Sequence, residues 1–217
     1  MRLHLFATLA FASLIAAATA AQVPEVKLPA SPTGQTAIQV GGTWVKTDQG
    51  GQRYENGKWI VVDYGRPILR GRTQIFGAGD DYGKAVSGGA PLWRAGANAT
   101  TRLTTQVPLT IGGRTLEPGV YSLFVDLKPG NWTLVVSSQP VQEKYDPTDK
   151  ERLFGAYNYN PKFDVVRVPM QVQSSDTSLE QFAIAFTNVS DTSATLVMYW
   201  ERTVASVDLR IGGAGTR

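Results

Sequence analysis

An all-β chain, folded as one antiparallel β-sandwich with little helix, is what three properties of these 217 residues imply. Segments rich in β-branched and aromatic residues recur along most of the length. Between them stand residues that turns demand, among them Gly42, Asn56-Gly57, Gly112-Gly113, Pro129-Gly130-Asn131 and Asp191. No stretch sustains a helical apolar period for more than about two turns. Two packed antiparallel sheets follow, and a jelly roll is one arrangement that fits.

The elements can be taken in order. Met1 and Arg2 form a short basic start, and the run 3–18 is apolar apart from His4, Thr8 and Ser13. Ala18-Thr19-Ala20 then supplies the small residues of a cleavage site, so residues 1–20 read as a secretory signal peptide cut after Ala20. The apolar run is shorter than the ~20 residues of a spanning helix, so no membrane span is expected after cleavage. The location that follows is periplasmic or secreted. Residues 21–36 carry Pro24, Pro29 and Pro32 and read as an extended linker. The sandwich is expected over 37–211, and 212–217 form a Gly-rich tail.

Within the domain, strands are expected at 37–40, 44–47, 58–64, 100–107, 120–127, 132–137, 165–172, 181–187, 195–202 and 205–211. The alternation is cleanest late in the chain. Phe182, Ile184 and Phe186 share one face, with Ala183 and Ala185 on the other, and Leu196, Met198 and Trp200 repeat the pattern. With 188–193 as the turn, they make a hairpin over a core. The segment 149–154 is the one place where a short helix is expected.

In Leu116-Glu117-Pro118-Gly119-Val120-Tyr121, the Pro-Gly turn places Tyr121 at the start of a strand. The spacing resembles a tyrosine corner, whose phenol bonds back to nearby backbone, so Tyr121 is assigned a structural role.

Composition narrows the chemistry. The chain has no Cys, and its one His lies in the expected leader. A cleaved chain therefore has no thiol or imidazole, which excludes Ser-His-Asp and Cys-His nucleophile systems and zinc sites built from His and Cys. Asp146, Asp149 and Glu151 could offer oxygen to a hard cation, but their spacing matches no known loop and reads as a solvated turn. Neither a metal site nor a cofactor is assigned. A net charge of +3 with no dense basic run gives nucleic acid nothing to bind.

Three clusters carry most of the chemical character: Tyr64-Gly65-Arg66-Pro67 with Arg70-Gly71-Arg72, Trp93-Arg94-Ala95-Gly96-Ala97-Asn98 with Thr100-Thr101, and Gly155-Ala156-Tyr157-Asn158-Tyr159-Asn160. Arg forks match planar anions, aromatic faces stack on sugars, and glycines let backbone approach closely. Tyr64, Arg66, Trp93, Arg94, Asn98 and Tyr159 are accordingly the candidate ligand-binding residues, for a carbohydrate, a peptide or a small anion. The structural alternative puts Trp93 in the core and sets Arg66 or Arg94 on buried carbonyls.

Those three clusters, with Leu116-Glu117-Pro118-Gly119-Val120-Tyr121-Ser122-Leu123-Phe124 and Asp164-Val165-Val166-Arg167-Val168, resemble the bacterial secreted family known as domain of unknown function 2911. The resemblance runs over about 40–209 and implies an exported bacterial protein with a β-rich domain and no established activity. The chain departs from the family pattern at 77–92, which is longer and carries Asp81-Tyr82-Gly83 in place of a short Pro-Tyr-Gly turn.

The reading that follows is a non-catalytic binding module of the envelope. Two alternatives stand beside it. One is a structural or assembly protein. The other is a hydrolase using two carboxylates, for which Asp63, Asp126, Asp164 and Glu201 are candidates by residue type. The missing His and Cys weigh against an enzyme.

Overall fold

The computed structural model describes residues 25–212. The expected signal peptide, with 21–24 of the linker and 213–217 of the tail, lies outside the described residues. Alternating apolar segments separated by Gly- and Asn-rich turns fold into strands β1 (Thr33–Val40), β2 (Thr43–Lys46), β3 (Gln52–Glu55), β4 (Lys58–Gly65), β5 (Thr101–Thr105), β6 (Leu109–Ile111), β7 (Arg114–Leu116), β8 (Gly119–Asp126), β9 (Thr133–Ser137), β10 (Asp164–Pro169), β11 (Gln171–Thr187) and β12 (Ser193–Ile211). A six-stranded antiparallel sheet, ordered β1-β4-β5-β8-β9-β10, packs on a four-stranded one, ordered β11-β12-β6-β7, while β2 and β3 form a separate hairpin. Ile60, Val62, Leu103, Leu123 and Leu134 from the first sheet meet Phe182, Ile184, Leu196, Met198 and Leu209 from the second. This is an all-β sandwich.

Several boundaries differ from those expected. β1 begins at Thr33, inside the segment read as linker, because its backbone pairs with β4 along its whole length, from Thr33 opposite Gly65 to Val40 opposite Lys58. The expected strand 165–172 divides at Met170, whose N–H donates to Trp132 O at 2.8 Å where the chain passes from one sheet to the other. The expected helix at 149–154 is absent. The Asp149 carboxylate accepts from the N–H groups of Glu151 (3.0 Å) and Arg152 (2.9 Å), a local turn that competes with helix. Among the described residues α-helix occupies one turn, α1 (Lys84–Ser87), inside the longer 77–92 segment, and 3-10 turns stand at Gly79–Asp81 and Pro161–Phe163.

The hairpin of β11 and β12 sets Ile184 opposite Met198 and Phe186 opposite Leu196. Its two expected halves, 195–202 and 205–211, are one strand interrupted by a bulge. Register slips around Glu201, whose φ is 52°, and the buried positions change from Leu196, Met198 and Trp200 to Ala205, Val207 and Leu209. Without the bulge one half of the strand would turn its apolar side chains to water.

Strands β8 and β9 are covered on both faces. Leu123 and Val125 point into the sandwich, while Phe124 and Val135 point outward beneath Leu92, Leu153 and Ala156. The cover includes an irregular segment, 138–160, that two buried amides organise. Gln139 Nε2 donates to the carbonyls of Glu151 and Asn158, both at 2.8 Å, and its Oε1 accepts from Asn160 N at 2.9 Å. Gln142 Nε2 donates to Asp149 O and Arg152 O.

The Tyr121 phenol donates to Glu117 O, four residues upstream, at 2.8 Å. Partial burial and the nearby Glu117 carboxylate both raise its pKa, so the donor stays protonated through neutral pH. Tyr121→Phe removes that bond and keeps the ring, so urea unfolding is expected to show a loss of about 0.5–1.5 kcal/mol. An unchanged midpoint would mean that the corner bond contributes nothing.

Candidate functional site

A cleft of about 510 Å³ opens on the outer face of the six-stranded sheet. Its floor comes from β1, β4 and β5, and its walls from 97–100 and 141–143. Strand register sets Gln35 opposite Asp63 and Asp63 opposite Arg102, and cross-strand partners share a face. The Asp63 carboxylate accepts from Gln35 Nε2 at 2.7 Å. Arg102, its neighbour on the other side, is exposed and has no hydrogen bond or ion pair among the described residues. Glu143, Asn98 and Thr33 also border the space.

The wall at 97–100 is built by the Trp93-to-Thr101 motif docking on the end of β4. Trp93 exchanges backbone bonds with Val125 at 3.0 and 2.8 Å, and the Thr101 hydroxyl donates to Ala95 O at 3.0 Å. A Cβ on Gly65 would lie 1.9 Å from Ala97 O, and one on Gly96 would lie 2.7 Å from Gly65 O. The glycines of the two motifs therefore make room for each other's backbone, where the sequence suggested room for a ligand. Asn98, at φ 62°, donates from Nδ2 to Ser31 O at 3.0 Å and so ties down the segment leading into β1.

The six candidate ligand-binding residues do not form one groove. Trp93 is 1% exposed, its indole N–H donates to Gly96 O at 3.2 Å, and its ring lies among Phe76, Trp132, Phe182 and Trp200. Tyr64 turns its ring into the core, where the hydroxyl accepts from Ile184 N (3.0 Å) and donates to Ile184 O (3.3 Å). Arg66 spans the sandwich edge and donates from Nε to Phe182 O at 3.3 Å. Arg94 donates to Asn98 O at 2.8 Å and lies over the Tyr157 ring, in space left by Gly155. Of the six, Tyr64 and Asn98 border the cleft.

Tyr159 belongs to a separate network. Its hydroxyl donates to Asp164 Oδ2 at 2.6 Å and accepts from Arg167, which also bridges Asp164 (2.9 Å) and Asp126 (2.7 Å). Burial, and then the Asp164 hydrogen bond and charge, push its pKa far above the usual phenol value. It is a fixed donor.

The remaining carboxylate candidates are also engaged. Asp126 and Asp164 share Arg167, and Glu201 accepts from the N–H groups of Gln74 (2.6 Å) and Ile75 (3.0 Å). Asp146 is held below the usual carboxylate range by the hydroxyl and N–H of Thr148, and Asp149 by the N–H groups of Arg152 and Glu151. Among the described residues no group of three or more His, Cys, Asp or Glu side chains is placed to hold a metal ion. No described helix is long and apolar enough to cross a membrane. Arg102 and Glu143 were not singled out from the sequence. The outward position of Arg102 on a strand was legible, but which strand lies beside it was not.

No curated protein and no solved structure matches this chain. A family model described as a protein of unknown function, DUF2911, matches residues 47–209. That span holds Asp63, Asn98, Arg102 and Glu143 of the cleft, while β1 precedes it. With well over half of its length matched in one continuous stretch, the chain belongs to the DUF2911 family.

Proposed function

We propose that this protein is an exported, non-catalytic binding module of the bacterial envelope, and that its cleft takes a small polar ligand carrying charges of both signs, such as a short peptide. The observation that carries the reading is Arg102. Its guanidinium stands at a concave site without a partner, while the adjacent Asp63 is already bonded to Gln35. A planar fork of donors matches a ligand carboxylate. Glu143, which lines the same cleft, suits an ammonium group, and Asn98 and Thr33 line it with further hydrogen-bonding groups.

Thermal shift with a panel of di- and tripeptides tests this. At least one peptide is expected to raise the melting temperature of the parent and to fail with Arg102→Ala, whose own stability should lie within about 0.5 kcal/mol of the parent because the side chain is exposed. A panel that stabilises parent and variant alike, or neither, removes the reading. Export is tested separately by cell fractionation and by N-terminal sequencing, with Ala21 expected as the first residue.

A hydrolase is the second reading, favoured by the presence of both Asp63 and Glu143 in one cleft. Release of chromophore from nitrophenyl glycosides, abolished in both Asp63→Asn and Glu143→Gln, would establish it.

A further inference from the structure

We infer that the hairpin of β2 and β3, with the adjoining end of β1 and the turn between β11 and β12, forms a second binding site that takes a neutral saccharide by stacking. A pocket of about 660 Å³, separate from the cleft, is lined by Gln39, Val40, Gly42, Trp44, Tyr54, Val189, Ser190 and Asp191. Trp44 and Tyr54 are cross-strand partners with ring centroids 5.2 Å apart. Trp44 is 67% exposed, and no residue of its strand is buried. Trp59, itself 44% exposed, lies directly opposite Gln39 in the β1–β4 pairing and so shares its face. Trp59 does not itself line the pocket and neighbours the site only through Gln39, which does.

The fold does not require both indoles. Aromatic cross-strand pairs do stabilise hairpins, but Tyr54 is already fixed, with its hydroxyl accepting from Gly42 N at 2.8 Å and its ring filling the space beside Gly42 and Gly57. Trp59 belongs to no aromatic pair among the described residues. Large exposed aromatic faces beside polar groups fit a ligand that is apolar on its face and hydroxylated at its rim, and a pyranose ring is such a molecule. Asp191, whose Oδ1 accepts from Gly41 N at 3.3 Å, and the Gln39 amide, whose Nε2 donates to Gly57 O, each keep an oxygen for sugar hydroxyls. Charge selects the class. Asp191 is the only charged residue lining the pocket, which disfavours acidic sugars. A cationic ligand calls for ring faces gathered around it, whereas here Trp44 and Tyr54 lean on each other and leave a broad platform.

The site shares no lining residue with the cleft, so it stands or falls independently of the peptide reading. Affinity electrophoresis tests it, in native gels containing soluble hydroxyethyl cellulose, arabinoxylan or galactomannan as neutral polymers and polygalacturonate as the acidic one. At least one neutral polymer is expected to retard the protein. Trp44→Ala should weaken that retardation about tenfold, losing a stacking face, and Gln39→Ala measurably, losing an amide at the pocket, while Val120→Ala, an exposed and uncharged change outside both pockets, is retarded as the parent. Urea midpoints check folding. If Trp44→Ala loosens the hairpin, Gln39→Ala, on the main sheet, decides alone. Retardation by polygalacturonate only, by no polymer, or equally in the parent and in the Trp44→Ala and Gln39→Ala variants overturns the proposal.

Discussion

Trp93→Ala is expected to lower the stability of the domain by about 3–5 kcal/mol, the range found when a large buried aromatic is truncated. The indole packs against Phe182 at 5.1 Å, Phe76 at 5.6 Å, Trp132 at 6.2 Å and Trp200 at 6.4 Å between centroids. Phe182 and Trp200 come from β11 and β12 of the four-stranded sheet, and Phe76 and Trp132 from segments outside the strands, so no single element can move in to fill the void. Residue 93 is also tied to Val125 by two backbone bonds, which hold the chain in place around the cavity. Urea unfolding should show a large fall in midpoint at unchanged slope. Trp93→Phe, which leaves a smaller void, should lose less. A near-parental midpoint for Trp93→Ala would mean that the five-ring cluster is not the centre of the core.

Gly65→Ala is expected to cost about 3 kcal/mol or more, at the upper end of overpacking. The added methyl would meet Ala97 O at 1.9 Å, a backbone atom in a segment pinned at Trp93 and at Thr101. Relief requires the wall 97–100 to lift from β4, so ligand binding in the cleft should be lost along with stability. Gly51→Ala is the matched control, because its nearest neighbour is the Thr47 hydroxyl at 3.4 Å, and it should stay within about 0.5 kcal/mol of the parent. Equal behaviour of the two variants would show that the approach of β4 to the 93–101 motif is looser than these distances indicate.

The sandwich was legible because alternation survives in the strands that bury one face. Phe182, Ile184 and Phe186 against Leu196, Met198 and Trp200 give the β11–β12 hairpin directly. β6 and β7, three residues each, are too short to display a period, although Gly112-Gly113 marked the turn between them. β1 was half hidden because Pro32 precedes it and Gly34 and Gln35 are not strand-like residues, and their place is fixed by pairing with β4. The site was harder to read. Trp93 and Arg94 are consecutive, and where Trp93 pairs with Val125 in a β-bridge neighbouring side chains point to opposite sides. Once Trp93 enters the core, Arg94 cannot share a groove with it. The same rule separates Tyr64, facing Ile184, from Asp63 in the cleft. Residue types announced chemistry, but only strand order shows that Asp63 and Arg102 are neighbours.

The bulge at Glu201 gives β12 two opposite codes for tolerance. Before it, even-numbered positions such as Leu196 and Met198 are buried and odd-numbered ones are not; after it, Ala205, Val207 and Leu209 are buried while Ser206, Asp208 and Arg210 are not. A polar substitution harmless at one parity in the first half is damaging at that parity in the second. A single deletion between the two halves would leave the composition nearly intact and yet reverse the sense of every residue that follows. The fold therefore fixes the length of this strand between Trp200 and Ala205 as strictly as the identity of its side chains.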